Sequence, residues 1–331
     1  MTRIYTQRRS PFVNPNRRHI LTGLLASPLL ARPAFAATPL NVVATTGMIA
    51  DAARAVGGDL VEVRALMGPG VDPHGYRQTR SDIVAMTRAD LVLWNGLYLE
   101  AQLEEFLQGL SRRVPTRAVA ETLPPDLRLT HSQYEGRADP HVWMAPRLWR
   151  HAVVGTRDAL SEQRPDDAAR FAANADAYLA QLDALHVYAT ETLAKLPPEA
   201  RVLVTAHDAF GYFGREYDFQ VEGIQGISTE SEAGLQRIGA LVDLLVDRQI
   251  SAAFVESSVS DRNIRALIEG AAARGHSVQI GGELFSDAMG QPGTYEGTYV
   301  GMFDHNVTTI AAALGADVPN GGMSGKLNAG G

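Results

Sequence analysis

The tripeptide Asp-Pro-His occurs in two places, within "VDPHGYRQT" (71–79) and within "ADPHVWM" (138–144). Each sets an imidazole directly after a proline, whose fixed φ limits where the next residue can point. A third histidine, His207, follows the apolar run "RVLVTA" (201–206) at an expected helix start. Further on, "GGELFSDAMG" (281–290) carries Glu283 and Asp287 past another apolar run. Imidazoles joined by one carboxylate suit zinc or another first-row transition ion. Calcium and magnesium want nearly all-oxygen shells, so His74, His141 and His207 argue against both. On these grounds either Glu283 or Asp287 completes the set. The other histidines read more plainly. His151, His186, His276 and His305 fall in expected helices or near a strand start, as surface or half-buried side chains. His131 lies in the polar loop 123–137 and is expected to be solvated.

These groups need elements to hold them. From residue 40, short β-branched runs alternate with helical stretches. Strands are expected at 40–46, 60–67, 91–95 and 116–120, and helices at 48–58 and 81–89, the second opened by a Ser cap. From Pro146 to Leu196 no strand signal appears. Pro165-Asp166-Asp167 opens a stretch in which Phe171, Tyr178, Leu182, Leu185 and Tyr188 recur at helical spacing, and Pro197-Pro198 stops it. Alternation then resumes, with strands at 201–206, 252–257 and 276–282 and helices near 208–217, 234–248, 261–274 and 304–314.

The expected fold is therefore α/β, with two parallel-sheet lobes joined by a single long backbone helix. The N-terminal lobe covers 37–165, the connecting helix 166–196 and the C-terminal lobe 197–318. A glycine-rich flexible tail covers 319–331. In open parallel sheets the loops at the carboxyl ends of the strands build the binding crevice, and each candidate ligand follows such an end.

The first 36 residues read as an export signal. They carry six arginines and no acid, then "ILTGLLASPLL" (20–30), then "AFA" ahead of Ala37. The apolar run is too short to span a bilayer, which takes about 20 residues. Arg17-Arg18 in "NRRHILTG" has the form of a twin-arginine signal. Cleavage after Ala36 takes the net charge from −7 to −13, which argues against nucleic acid and anionic membranes as partners. There is no cysteine, hence no disulfide, thiolate site or lipid-anchored cysteine. The expected location is the periplasm.

At this point a resemblance becomes specific. The stretches "GPGVDPHGYRQT" (68–79), "ADPHVWMAP" (138–146), "VLVTAHDAFGYF" (202–213), "GISTESEAG" (226–234), "FVESSVSDRNI" (254–264) and "GGELFSDAMG" (281–290) follow one another through nearly the whole chain after the signal. In kind and order they resemble the cluster A-I periplasmic metal-binding proteins of zinc and manganese ABC importers. The resemblance implies metal ligands at His74, His141, His207 and Asp287, with Glu283 a neighbour. It also implies a cognate ABC permease in the inner membrane as partner, a periplasmic metallochaperone as a further one, and a monomer. Similar manganese receptors usually carry glutamate at the third position. His207 there favours Zn2+, with Mn2+ as the alternative. The long histidine-rich loop of many zinc receptors is missing.

Two other classes fit the residues less well. A zinc-dependent hydrolase needs an open coordination position and a base. Asp287 fills the fourth position, no "HExxH" occurs, and Glu256 in "VESS" is better read as a buried pairing partner. A surface adhesin of the same fold is disfavoured by the missing anchor cysteine.

Overall fold

The computed structural model describes residues 1–7, 38–131, 134–231 and 233–327. The export signal, with its arginine pair, thus falls largely outside the described residues. From Thr38 onward the chain forms one compact unit.

The first half builds a four-stranded parallel sheet from β1 (Leu40–Ala44), β2 (Val61–Ala65), β3 (Leu91–Trp94) and β4 (Thr116–Ala118), in the order β2-β1-β3-β4. The two central strands are buried on both faces at Val42, Val43, Leu91, Val92 and Leu93, as parallel sheets require. Helices α1 (Gly47–Gly57), α2 (Arg80–Thr87), α3 (Glu104–Leu110) and α4 (Pro146–Gln163) accompany it. The cap of α2 is Thr79, not Ser81: Thr79 and Asp82 close a reciprocal capping box. Helix α3 was not expected from the sequence.

The connecting helix α5 (Ala168–Leu193) has 26 residues, about 39 Å at 1.5 Å per residue. It buries Phe171, Ala175, Tyr178, Leu182, Leu185 and Ala189 in one stripe. The second half pairs β5 (Val202–His207) with β6 (Gln220–Gln225), and β7 (Ala252–Glu256) with β8 (Gln279–Leu284), all parallel, with β5 running beside β7. Helices α6 (Gly211–Tyr217), α7 (Leu235–Asp247), α8 (Arg262–Ala273) and α9 (Tyr299–Ala313) complete it.

One apolar core runs through both halves. It joins Val42 and Leu93, Trp149 of α4, Leu182 of α5, Phe213 of α6 and Phe303 of α9. Asp51 of α1 adds a polar tie: it accepts hydrogen bonds from the Tyr178 hydroxyl of α5 (2.7 Å) and from the Tyr299 backbone N–H of α9 (3.1 Å).

Two further expectations need correction. Strand β6 was missed, and Gly223 explains why. A Cβ there would lie 2.5 Å from the Asp208 backbone nitrogen, so close passage of β5's continuation requires a residue that weakens the strand pattern. His276 does not open β8; its N–H bonds Ala271 and closes the end of α8. Part of the tail, residues 319–327, makes contacts of its own. Met323 N–H meets both carboxylate oxygens of the buried Asp304 at 2.9 and 3.0 Å, and Leu327 N–H meets Gly321 O.

Candidate metal centre

Four loops or strand ends bring His74, His141, His207 and Asp287 together. His74 lies in the loop after β2. His141 leads the short 3-10 turn Val142–Met144 that feeds α4. His207 is the last residue of β5, so it sits in the strand and not at a helix start. Asp287 follows the end of β8. All four are buried, with exposures of 2%, 0%, 0% and 2%. One ligand atom from each lies within 4.8 Å of all the others.

The separations have a recognisable scale. His74 Nε2 and His141 Nε2 stand 3.2 Å apart, His207 Nε2 and Asp287 Oδ2 3.2 Å, and His141 Nε2 and Asp287 Oδ1 3.4 Å. His74 Nε2 is 4.0 Å from Asp287 Oδ1. A tetrahedral ion with bonds of about 2.0–2.1 Å puts its donors about 3.3–3.4 Å apart. His207 Nε2 and Asp287 Oδ1 are buried without a hydrogen-bond partner, a costly arrangement that an ion at the centre would relieve. The donor set therefore fits a divalent transition ion.

Carboxylates hold the histidines from behind. Asp139 Oδ1 accepts the His141 backbone N–H (2.9 Å) and pairs with its ring Nδ1 (2.7 Å). Glu256 of β7 does the same for His207, through Oε1 to the backbone N–H (2.8 Å) and Oε2 to Nδ1 (2.5 Å). In both rings Nδ1 is engaged, which turns Nε2 toward the centre. Asp72 Oδ1 accepts the His74 backbone N–H at 2.8 Å. Each Asp-Pro-His is thus a turn in which the aspartate carboxylate caps the histidine two residues on.

The charges follow this layout. Burial works against a charged His141, but Asp139 and then Asp287 outweigh it and push it up to about 9. Burial likewise opposes a charged His207, and Glu256 and Asp287 lift it well above the ordinary imidazole value. For His74 burial wins, reinforced by the neighbouring imidazoles, and it falls to about 3. Burial would raise Asp287, yet the three imidazoles hold it well below the usual carboxylate range.

The remaining candidates are elsewhere. Glu283 stays in β8, where its carbonyl accepts from the His305 ring at 2.9 Å. His186 bonds the Tyr217 hydroxyl and His276 the Ile250 carbonyl. His131, expected to be solvated, is only 4% exposed; its Nδ1 accepts the Tyr134 N–H and its ring packs on Tyr134. Sequence reasoning credited the prolines of the two motifs and passed over Asp72 and Asp139. An acid two residues before a candidate ligand was the available signal.

The chain matches the family described as zinc-uptake complex component A, periplasmic, over residues 42–313. It belongs to this family. Members and close relatives of this zinc-uptake component differ in the metal they are named for. The chain is 49% identical over 276 residues to the manganese-binding lipoprotein MntA of Bacillus subtilis (strain 168), covering 83% of this chain and 90% of that one. It is 48% identical over 273 residues to the zinc-binding protein TroA of Treponema pallidum (strain Nichols), covering 82% and 88%. The solved structure of that periplasmic zinc-binding protein superposes with a TM-score of 0.81 at 47% identity, over 84% of this chain and 99% of the other. As a zinc-uptake family member the chain is an extracytoplasmic metal-binding receptor of an ABC importer. It is not an enzyme, and its role implies a cognate permease. Among the described residues no helix is long and apolar enough to cross a membrane.

Proposed function

We propose that this receptor captures Zn2+ in the periplasm, holds it between its lobes on His74, His141, His207 and Asp287, and passes it as cargo to a permease in the inner membrane. The observation that carries the metal assignment is the convergence of one donor atom from each of three buried imidazoles and one buried carboxylate within 4.8 Å of one another, a four-residue, nitrogen-rich set of the kind zinc takes. Three neutral nitrogens and one carboxylate also suit zinc's softness better than manganese's. Burial strips the site of competing water. Asp139 and Glu256 fix two rings before the ion arrives, so little reorganisation opposes capture. The lobes are read as 37–165 and 197–318, with 166–196 as the connector. The receptor acts as a monomer, and a periplasmic metallochaperone is a further partner by family likeness.

Manganese is the second reading, favoured by one feature. Both Asp287 oxygens face the imidazoles, Oδ1 toward His141 and Oδ2 toward His207, which allows a fifth donor. The deciding experiment is metal analysis of the purified protein with competitive titration of Zn2+ and Mn2+. Tighter zinc binding at fixed pH is expected. A preference for manganese would overturn the zinc assignment and leave the receptor role intact.

A further inference from the structure

The three histidines share a pattern that one of them breaks. Each backbone N–H is taken by a carboxylate: His141 by Asp139, His207 by Glu256 and His74 by Asp72. Asp139 and Glu256 also hold the ring of the histidine they cap. Asp72 does not. Its second oxygen, Oδ2, accepts the Thr229 hydroxyl at 2.5 Å. Thr229 lies in the loop between β6 and α7, across the cleft from the loop of His74.

We infer that Thr229 is a positioning residue for His74, acting through Asp72, and that it makes the grip on the ion depend on lobe closure. His141 and His207 are each oriented by a carboxylate in direct contact with the ring, but the capping carboxylate of His74 is anchored to the opposite half. Separation of the halves removes Thr229 from Asp72 Oδ2 and loosens the Asp72-Pro73-His74 turn. His141 keeps its partner Asp139 in the same motif, so His74 is the ligand that lets go first. The surroundings agree with a loop seated between the halves. A Cβ added at Gly70 would stand 3.3 Å from the Ser257 carbonyl, and His74 is 2% exposed. Hydrogen-bond chemistry sets the requirement. A hydroxyl donor of short reach satisfies Asp72 Oδ2, whereas an alanine or valine leaves a part-buried carboxylate oxygen unpaired.

This inference rests on the ligand set proposed above, and the test separates the two. Zinc dissociation is followed by stopped flow into excess chelator, and zinc association separately, in the full-length receptor at fixed pH. Thr229→Ala and Thr229→Val are expected to raise the dissociation rate roughly tenfold with association little changed, the size typical of losing a supporting contact behind a metal ligand. Thr229→Ser keeps the hydroxyl and should restore the slow rate. Gln102→Ala, which removes a more exposed tie to Glu230 in the same loop as Thr229 but does not touch Asp72, should leave dissociation unchanged. A wild-type dissociation rate in Thr229→Ala overturns the inference. So does a Thr229→Ser variant as fast as Thr229→Ala, because the methyl packing and not the hydroxyl would then matter. Equal acceleration by Gln102→Ala also overturns it, by showing general loosening of the loop. If His141→Ala leaves zinc binding intact, the ligand set itself is wrong, and that result is independent of Thr229.

Discussion

Residue by residue, the proposed centre sets three histidines, each capped by a named carboxylate, around Asp287, and this gives the sharpest expectations. His74→Ala, His141→Ala or His207→Ala should weaken zinc binding by well over 100-fold, more than the roughly 10–100-fold that loss of a supporting residue costs. Glu256→Gln, which keeps shape and removes charge behind His207, should fall in that 10–100-fold range. His186→Ala and His305→Ala should bind as wild type, since those rings bond the Tyr217 hydroxyl and the Glu283 carbonyl. Competitive titration checks all six, and an equal loss in His186→Ala would contradict the ligand choice. His207→Glu should shift the zinc-to-manganese ratio toward manganese by trading an imidazole for an anionic oxygen. It places a new carboxylate beside Glu256, with no helix start to ease it, because α6 begins only at Gly211. Two neighbouring buried carboxylates cannot both ionise cheaply. The metal-free variant should therefore melt lower than wild type, by several degrees, and recover on metal addition.

The same residues set a pH dependence. His141 is lifted to about 9 and His207 lies well above the ordinary 6.5, so both keep protons in the metal-free protein at neutral pH. The ion must displace those protons. Zinc affinity should rise as pH increases from 6.5 and level off above about 9. The stability of the metal-free fold runs the other way. A raised pKa contributes stability that is complete below the unfolded value and is lost as pH rises through the folded one. Metal-free melting temperature should then fall between pH 6.5 and about 9, while zinc-loaded protein resists the fall. Affinity that stays flat across this window would mean that the imidazoles face the centre unprotonated. The three candidate histidines were legible in the sequence because types and strand ends both pointed to them, and the structure brings them together. The choice between Asp287 and Glu283 was not, since both follow the expected strand 276–282 by only a few residues and the resemblance alone favoured Asp287. Asp72 and Asp139 were hidden by their prolines.

Among the elements, β1, β3, β5 and β7 announced themselves through short runs dominated by apolar residues. What stayed illegible was governed by contacts between elements. Gly223 breaks the pattern of β6 because the Asp208 backbone needs the room. The tail looks featureless, yet Asp304 of α9 gives Met323 a partner. Helix α5 was evident from periodicity, but its role as a meeting point was not. Asp51 of α1 accepts from Tyr178 of α5 and from the first residue of α9, so one carboxylate ties three helices. Burial raises the Asp51 pKa above its ordinary value, with Tyr178 and Tyr299 pulling the other way. Tyr178→Phe removes the hydroxyl that supports this charge. It should cost about 1.5–3 kcal/mol, the usual worth of a hydrogen bond to a charged group. Denaturant unfolding of the metal-free protein measures this. Zinc affinity should be unchanged, because Tyr178 touches none of the four candidate ligands.

At the scale of the whole molecule, the core shared by α1, α4, α5 and α9 passes through both halves, so their unfolding is expected to be one event. Metal-free protein should melt in a single transition seen alike by near- and far-ultraviolet dichroism. Zinc at about 1,000 times its dissociation constant should add roughly 4 kcal/mol. Two resolved transitions would show that the halves are independent. The proposed donors divide evenly across this frame, with His74 and His141 on one half and His207 and Asp287 on the other. In the language of chelation, each half is a two-toothed ligand of modest strength, and the protein is the tether that makes the second encounter intramolecular. Such a tether supplies an effective concentration worth about 10²–10⁴ in avidity, and forfeits it once geometry forbids simultaneous engagement. On the proposed ligand set, unloading needs no change in the chemistry of any donor. A permease that spreads the halves by little more than a bond length dilutes one half-site with respect to the other, and the ion then faces two weak chelators instead of one strong one.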